Sequence, residues 1–321
     1  MPWMRFLDRI SLTRRRAGFR SRFGGTWVDR PDAEAELERR ARDRGWSEAR
    51  RACFASFIRD GFAILPERIP EERLAALRAE IERLADEPGP LLAETGGRRR
   101  PLDRSWRDGS EKLLDLHAVS GAARELVFHP PLAEFLSSLF DSPPLAFQSL
   151  VFARGSEQRP HRDTAYVVVN RPLEFAASWI ALEDIRPGSG ELVYFPGSHR
   201  LPESLFGRGR RNWNRERDGD EAERRFLDEL VRQCGAAGLE PATFRPRAGE
   251  ILVWHADLVH GGLPIRDAAA TRSSLVTHCC PLDARPYYFS YRRRHRAIGR
   301  HHDAAGRLLG AFSSAWYAIE E

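Results

Sequence analysis

The chain has 321 residues, 42% of them apolar and 30% charged, which is the balance of an ordinary globular protein with one large buried core. The pI is about 9.3, yet Lys112 is the only lysine among 51 basic residues, and the arginines are interleaved with Asp and Glu along the whole chain. Because no nucleic-acid-binding motif accompanies this charge, we expect no nucleic-acid partner.

The four cysteines and the apolar patterning indicate a compartment. Cys53, Cys234, Cys279 and Cys280 form no Cys-x-x-Cys pair, and the first residues lack the apolar run of a secretion signal. No apolar stretch approaches the ~20 residues that are needed to span a bilayer. We therefore expect a cytoplasmic protein.

The first residues contain an amphipathic pattern. Trp3, Phe6, Leu7 and Ile10 fall on one helical face, and basic residues, including the run at 14–16, lie off that face or just past it. Two interpretations stay open. Residues 1–16 form a peripheral contact with the inner face of the membrane, or they form a terminal helix that packs on its own domain.

Helices dominate the chain before residue 145. They are expected over residues 32–44, over residues 48–59 after an N-cap at Ser47, and from Pro70 to residue 87, with a short strand at residues 62–65. Residues 88–110 are rich in Gly, Pro and Arg, and we expect a long loop that is either disordered or a lid over a site. Two short helices are expected between residues 119 and 140.

From residue 145 onward the pattern changes to short strands separated by Gly and Pro. We predict strands at residues 145–152, 165–169, 175–182, 192–195, 251–255 and 273–279. Short strands with such turn signals indicate a β-sandwich or barrel. A polar helical insert is expected at about residues 220–234.

The most specific pattern lies at residues 158–164. His161 and Asp163 are two residues apart and precede a run of β-branched and aromatic residues. On an extended chain, residues i and i+2 project from the same face, so both side chains can converge on one point. A second imidazole, from His255 or His260, would complete a set of two histidines and one carboxylate. That set suits non-haem Fe(II) and leaves three coordination positions open.

A second feature follows His260 in the chain. Arg272 and Ser274 are two residues apart at the start of a predicted strand, so they share a face. A guanidinium beside a hydroxyl forms a receptor for a carboxylate. The sequence thus provides a metal triad and, separately, an anchor for a dicarboxylic acid.

Several motifs in the same order make the chain resemble the phytanoyl-CoA dioxygenase family of Fe(II)/2-oxoglutarate oxygenases over roughly residues 50–290. The matching segments are residues 57–62, 147–152, 160–164, 178–184, 190–192, 195–200 and 249–272. The resemblance implies a mainly β protein with flanking helices, whose core is a double-stranded β-helix (jelly-roll, cupin-like) preceded by N-terminal helices. It divides the chain into a basic, helical N-terminal extension, residues 1–45, and a dioxygenase jelly-roll domain, residues 46–321, with a helical insert around residues 203–240.

Carried over residue by residue, the resemblance implies that His161, Asp163 and His260 are the catalytic iron ligands. His255 corresponds to a family position that is not a ligand. Related halogenases have a small residue in place of Asp163, so the presence of this aspartate favours hydroxylation over halogenation.

The resemblance also implies a cosubstrate site. Arg272 would hold the distal carboxylate of 2-oxoglutarate, and Trp179 and Gln158 would line the cosubstrate pocket. The family often has serine two residues after the second histidine ligand, where this chain has Gly262. We expect Ser274 to take over that contact.

The implied reaction is hydroxylation of an unactivated C–H bond in a small-molecule or lipid-like substrate, with consumption of 2-oxoglutarate and O2 and release of succinate and CO2. Two alternatives remain. A catalytically silent jelly roll would bind a ligand as a sensor or binding module and turn nothing over. A membrane-surface adaptor would depend on the N-terminal amphipathic segment and survive the loss of the iron ligands.

Overall fold

The computed structural model describes residues 18–87, 91–95, 98–107, 111–287 and 297–314. The amphipathic segment at residues 1–16 lies outside the described residues, so its membrane contact stays a prediction. Among the helices in the described ranges, none combines the length and the apolar character that crossing a membrane requires.

Most helices occupy the first half of the chain. The described residues form seven α-helices: α1 (Ala33–Asp43), α2 (Glu48–Asp60), α3 (Glu71–Asp86), α4 (Leu116–Val119), α5 (Gly121–Val127), α6 (Pro130–Phe140) and α7 (Arg215–Ala236). The predicted cap is confirmed, because the Ser47 hydroxyl accepts a hydrogen bond from the Arg50 amide at 3.3 Å. Gly61 ends α2 in the left-handed conformation, with φ of 81°.

The strands build a large sheet and a small one. They are β1 (Phe62–Ile64), β2 (Leu92–Thr95), β3 (Arg98–Pro101), β4 (Lys112–Leu114), β5 (Pro144–Phe152), β6 (Val168–Val169), β7 (Ala176–Ala181), β8 (Leu192–Tyr194), β9 (Ala242–Phe244), β10 (Ile251–His255), β11 (His260–Gly262), β12 (Ser274–Pro281), β13 (Pro286–Tyr287), β14 (Ala297–His302) and β15 (Leu308–Ser314). The large sheet has the order β1-β10-β7-β12-β5-β4-β2-β3, with β15 added in parallel to β5 and β14 beside β15. The small sheet has the order β11-β8-β9, and β13 pairs separately with β6.

Alternation along the strands decides which side chains face the helices and which face the small sheet. On β10, Ile251 and Val253 belong to the cluster that packs against the helices, whereas Leu252 and Trp254 belong to an inner cluster with Trp179 of β7. The helices therefore cover one face of the large sheet, and the small sheet covers the other. Residues 148–164 and 254–278 meet between the two sheets, and the candidate site lies there.

Two predicted elements are wrong. Residues 88–110 are not one long loop, because β2 and β3 form a hairpin whose cross-strand pair Glu94 and Arg99 lies within 3.2 Å, and β2 also pairs with β4. The predicted strand at 165–169 is reduced to β6. Its first part is a one-turn 3-10 helix, Asp163–Ala165, in which the Asp163 carbonyl accepts hydrogen bonds from the amides of Tyr166 and Val167 at 2.8 and 2.7 Å.

The helical insert packs against the residues that follow the histidine motif. Within α7, Phe226, Leu227 and Leu230 bury against Ala165 and Val259, and the hydroxyl of Tyr166 donates to Glu223 at 2.7 Å. The division of the chain at residue 45 stays a prediction.

Candidate metal and cosubstrate site

The main chains of the two candidate histidine ligands are paired. The amide of His161 donates to the carbonyl of His260 at 2.9 Å, and the amide of His260 donates back at 3.0 Å. Residues directly opposite in an antiparallel pair project their side chains to the same face. The two rings accordingly lie with their centroids 4.4 Å apart on the side that faces the large sheet.

Each ring uses its Nδ1 atom in the same way. Nδ1 of His161 lies 2.9 Å from the carbonyl of Arg159, and Nδ1 of His260 lies 2.9 Å from the carbonyl of Leu258. A carbonyl can only accept, so each Nδ1 carries the proton. Both Nε2 atoms then present lone pairs to the interior, as metal-binding imidazoles do.

The third member of the set is Asp163, at the start of the 3-10 turn. Its Oδ1 lies 3.8 Å from Nε2 of His161 and 3.6 Å from Nε2 of His260. The three ligand atoms lie within 4.8 Å of one another, and all three residues are buried. The predicted i, i+2 placement on a regular strand is wrong in detail, because His161 forms a single bridge and Asp163 begins a turn, yet the side chains converge as expected.

The surroundings favour the protonation states that bind a metal. Burial, followed by the charge of His260, lowers the pKa of His161 to about 4, so its imidazole is neutral near pH 7. Burial alone would raise the pKa of Asp163, but the neighbouring imidazoles of His260, His278 and His161 stabilise the carboxylate and lower that pKa. A neutral imidazole and an ionised carboxylate are the forms that act as ligands.

The donor set fits a divalent metal such as Fe(II). Two lone pairs and a carboxylate oxygen converge with no hydrogen-bond donor among them, which is unfavourable unless a cation lies at their centre. Two atoms bound to one ion at roughly 2.1 Å each lie at most about 4.2 Å apart, and both nitrogen–oxygen distances satisfy this limit. The chemistry of two imidazoles and one carboxylate with open positions is that of non-haem iron.

His255, the alternative third ligand, lies on the other face of β10. Its Nε2 lies 3.0 Å from Oδ1 of Asp29, and its Nδ1 accepts a hydrogen bond from the amide of Asp257 at 3.0 Å. His255 is thus committed to the helical side of the large sheet, and the geometry selects His260.

Arg272 lies in the wall of the same cavity, whose volume is about 70 Å3. It is 3% exposed, and its guanidinium lies 5.5 Å from the ring of Phe152 and 5.8 Å from that of Trp179. No carboxylate of the described residues forms an ion pair with it, and burial lowers its pKa to about 10, against the charge of Glu191. A buried cation without a counter-ion is costly, and an anion bound beside Arg272 would remove that cost.

Of the other predicted cosubstrate residues, two line the cavity and one does not. Trp179 and Gln158 line the cavity, and the indole nitrogen of Trp179 is buried with no hydrogen-bond partner among the described residues. Ser274 is fully buried, and its hydroxyl likewise finds no partner there, but it does not line the cavity. The expectation for Ser274 therefore rests on its place two residues after Arg272.

Two cavity residues were missed from the sequence, Trp254 and His278. The indole nitrogen of Trp254 donates to Oδ2 of Asp163 at 2.8 Å, and Nε2 of His278 lies 3.3 Å from the same oxygen. A signal was present, because His278 is an even number of residues beyond Arg272 and so shares its face on an extended strand. Trp254 lies between Val253 and His255 on a predicted strand, so its side chain projects to the opposite face from theirs.

Arg162, which lies between His161 and Asp163 in the chain, anchors this segment to residues 198–202. It is 1% exposed, and its guanidinium donates to the carbonyl of Ser198 at 3.0 Å and to that of Pro202 at 3.3 Å. Beside it, the Thr164 hydroxyl donates to Asp257 at 2.7 Å, and Asp257 also pairs with Arg211. The turn that presents Asp163 is thus fixed by buried polar contacts.

A profile of the phytanoyl-CoA dioxygenase family matches residues 57–273. The chain belongs to the phytanoyl-CoA dioxygenase family. An ectoine dioxygenase of Nocardia farcinica is 26% identical over 227 residues, which cover 67% of this chain and 73% of that protein.

Two solved structures share the fold of this dioxygenase. The non-heme alpha-ketoglutarate-dependent carbocyclase SnoK from nogalamycin biosynthesis superposes with a TM-score of 0.55 at 20% identity, covering 74% of this chain and 85% of that chain. EctD from S. alaskensis with 2-oxoglutarate and 5-hydroxyectoine superposes with a TM-score of 0.52 at 19% identity, covering 74% and 77%. These similarities confirm the predicted jelly-roll fold.

Family membership and the assembled donor set make the chain a 2-oxoglutarate-dependent non-haem iron dioxygenase. Its cofactor is Fe(II), and its cosubstrates are 2-oxoglutarate and O2. The predicted family, enzyme class and cofactors are therefore confirmed.

Proposed function

We propose that this dioxygenase hydroxylates an unactivated C–H bond of a small molecule and releases succinate and CO2. In this proposal His161, Asp163 and His260 hold Fe(II), and Arg272, with Trp179, Gln158 and Ser274, receives 2-oxoglutarate. When bound, the metal would allow O2 to act as a four-electron oxidant: 2-oxoglutarate gives up two electrons and becomes succinate and CO2, the substrate C–H bond gives up the other two, and one oxygen atom goes to the substrate carbon and the other to succinate.

The residues of the chain supply position and surroundings. The carbonyls of Arg159 and Leu258 fix the two imidazoles with Nε2 inward, so the ligand geometry exists before the metal arrives. Arg272 offers a planar, doubly donating guanidinium to the carboxylate farthest from the metal. Apolar walls from Leu150, Phe152 and Val276 keep water from the reacting atoms.

The observation that carries the proposal is that the donor set and the unpaired buried arginine line one cavity. A metal site alone would fit many proteins, and a buried arginine alone would fit many anions. Together they match one ligand, a dicarboxylate that chelates the metal at one end and binds a guanidinium at the other. The relative named as an ectoine dioxygenase supports the small-molecule class of substrate.

The experiment is an anaerobic titration of the purified apoprotein with Fe(II) and then 2-oxoglutarate, followed by the weak visible charge-transfer band of the chelate. We expect the band in the wild type and its loss in His260→Ala. Release of succinate on admission of O2 would then distinguish an enzyme from a silent binding module. A folded wild type that gives no band would contradict the proposal.

A further inference from the structure

The two oxygens of the Asp163 carboxylate have different neighbours. Oδ1 faces the Nε2 atoms of His161 and His260 at 3.8 and 3.6 Å. Oδ2 faces away from them, towards the indole N–H of Trp254 at 2.8 Å and Nε2 of His278 at 3.3 Å. Oδ1 of Asp163 thus faces the candidate metal position, whereas Oδ2 is in contact with side chains of the protein.

The register of the large sheet explains why Trp254 and His278 meet at this oxygen. Trp254 of β10 and His278 of β12 both pair with Ala177 of β7, one from each side. Paired residues in neighbouring antiparallel strands share a face, and the strands are ~4.8 Å apart, so the three side chains form a row about 10 Å long. Because Ala177 ends at Cβ, the middle of the row has room for the Asp163 carboxylate.

His278 is buried among aromatic side chains. It is 4% exposed, and its ring lies 6.2 Å from the rings of Phe147 and Phe175. Within the ranges that the structure describes, neither of its ring nitrogens forms a hydrogen bond of good geometry, and Nε2 approaches Oδ2 of Asp163 at 3.3 Å. A buried imidazole is costly without a polar partner, and the Asp163 carboxylate offers this ring among phenylalanines an electrostatic one.

We propose that Trp254 and His278 are positioning residues that restrict Asp163 to binding the metal through one oxygen. The inference rests on the proposed function, because it concerns the Fe(II) that the triad would hold. A six-coordinate ion with two imidazoles and one carboxylate oxygen keeps three positions for 2-oxoglutarate and O2. If Oδ2 were free to bind as well, one of those positions would be filled.

The first test uses Trp254→Phe, which keeps the aromatic ring and removes the N–H donor. In the anaerobic titration we expect the apparent affinity for Fe(II) to fall roughly 10- to 100-fold, as for other residues that orient a metal ligand. We also expect the maximum of the 2-oxoglutarate charge-transfer band to shift from its wild-type position, because Asp163 can then bind through both oxygens. A residue with a merely structural role would not move that band.

Trp27→Phe is the matched control. The indole N–H of Trp27 donates to the carbonyl of Ser138 at 2.9 Å, is buried, and lies on the helical side of the large sheet. This variant should lose a similar amount of thermal stability while binding Fe(II) and 2-oxoglutarate as the wild type does. Equal losses of Fe(II) affinity in Trp254→Phe and Trp27→Phe would assign the effect to general destabilisation and overturn the proposal.

A second pair of variants tests His278 and serves if Trp254→Phe does not fold. His278→Leu fills the space without a donor, whereas His278→Gln offers an N–H to the same oxygen. We expect His278→Leu to weaken Fe(II) binding and to shift the charge-transfer band. His278→Gln should bind Fe(II) more tightly than His278→Leu and show a smaller shift of the band. Wild-type behaviour in His278→Leu, or no difference between the two variants, would overturn the role of His278. A wild type without a band would instead defeat the proposed function.

Discussion

His161 and His260 hold each other through their main chains. Because their amides and carbonyls exchange two hydrogen bonds, the separation of the two imidazoles is set by the backbone and does not depend on a metal. The site is therefore organised before it is filled, and each imidazole can be removed without removing the contact that joins the two segments.

This arrangement predicts that His260→Ala folds and fails to respond to metal. The backbone bridge survives the substitution, so the melting temperature of the apoprotein should stay close to that of the wild type. Ligand binding to the native state raises stability by about 2.7 kcal/mol at a hundred times the dissociation constant, so Fe(II) should raise the wild-type melting temperature and leave that of the variant unchanged. Thermal unfolding with and without Fe(II), under anaerobic conditions, checks this.

The control for that measurement is His302→Ala. His302 is an exposed histidine on β14, so its loss should leave the metal-induced shift intact. A metal-induced shift of wild-type size in His260→Ala would remove this residue from the ligand set.

Arg272→Ala should raise the concentration of 2-oxoglutarate that the enzyme requires. Losing a charge-assisted, doubly donating contact costs on the order of 2–3 kcal/mol, which corresponds to roughly 30- to 150-fold in apparent affinity. Arg272→Lys should recover only part, because an ammonium lacks the planar fork. The loss of stability should be small, since no carboxylate of the described residues pairs with the arginine and its Nη2 donates only at 3.5 Å to the carbonyl of Arg154.

The titration of 2-oxoglutarate against succinate production measures this, with Arg154→Ala as the control. The guanidinium of Arg154 donates to the carbonyls of Arg107 and Ala268 and does not line the cavity. An unchanged requirement in Arg272→Ala, or an equal rise in Arg154→Ala, would mean that another residue anchors the cosubstrate.

The sequence was informative where local pattern alone decides the structure. The capped helix at Ser47, the core strands and the His-x-Asp motif all follow from spacing and residue type. It was less informative where distant contacts decide. The turn at Asp163–Ala165 replaces a predicted strand because Thr164 bonds to Asp257, far away in the chain. Nor could the sequence choose between His255 and His260 without the resemblance, because that choice depends on which face of β10 meets the helices.

The hairpin of β2 and β3 shows the same limit from the other side. Gly, Pro and Arg density predicted a loop, but Leu91 and Ala93 are buried, and Glu94 pairs with Arg99 and Lys112 across the strands. Composition indicates where a chain can turn, but here the burial of single residues against the sheet made the segment a hairpin.

Gly262→Ser should disturb the site, although the sequence resemblance implies serine two residues after the second histidine ligand. A Cβ atom at Gly262 would lie 2.9 Å from both the amide nitrogen of Glu157 and the hydroxyl of Ser156, closer than ordinary contacts allow. The segment that carries Gln158 would have to move. We expect a loss of about 1–3 kcal/mol in the free energy of unfolding, as for other overpacked positions, and weaker binding of 2-oxoglutarate.

Urea unfolding and 2-oxoglutarate titration check this, with Gly235→Ser as the control. Gly235 lies in α7, and a Cβ there would meet no atom within 4 Å, so serine should be tolerated or slightly stabilising. Improved cosubstrate binding in Gly262→Ser would contradict the close approach of residues 156–158.

The buried pair of His255 and Asp29 predicts a dependence of stability on pH. Burial by itself would lower the pKa of His255, and the hydrogen bond that the neutral ring accepts at Nδ1 from the Asp257 amide also opposes protonation, but the Asp29 carboxylate, 3.0 Å from Nε2, outweighs them with help from the charge of Asp257, and the pKa is raised. The unfolded chain has an ordinary histidine with a pKa near ~6.5. The stabilisation is therefore fully present below that value and is lost as the pH rises through the higher pKa of the folded state.

Asp29→Asn should accordingly lower the free energy of unfolding more at pH 6 than at pH 9, and the two losses should differ by about 1–3 kcal/mol.

The control is Asp141→Asn. This substitution also breaks an ion pair, the one between Asp141 and the buried Arg40 at 2.6 Å. Burial alone would raise the pKa of Asp141, but Arg40 and Arg44 lower it. Its contribution is lost only in acid, so that variant should cost the same at both pH values. An equal cost of Asp29→Asn at pH 6 and pH 9 would mean that His255 stays neutral in the folded protein.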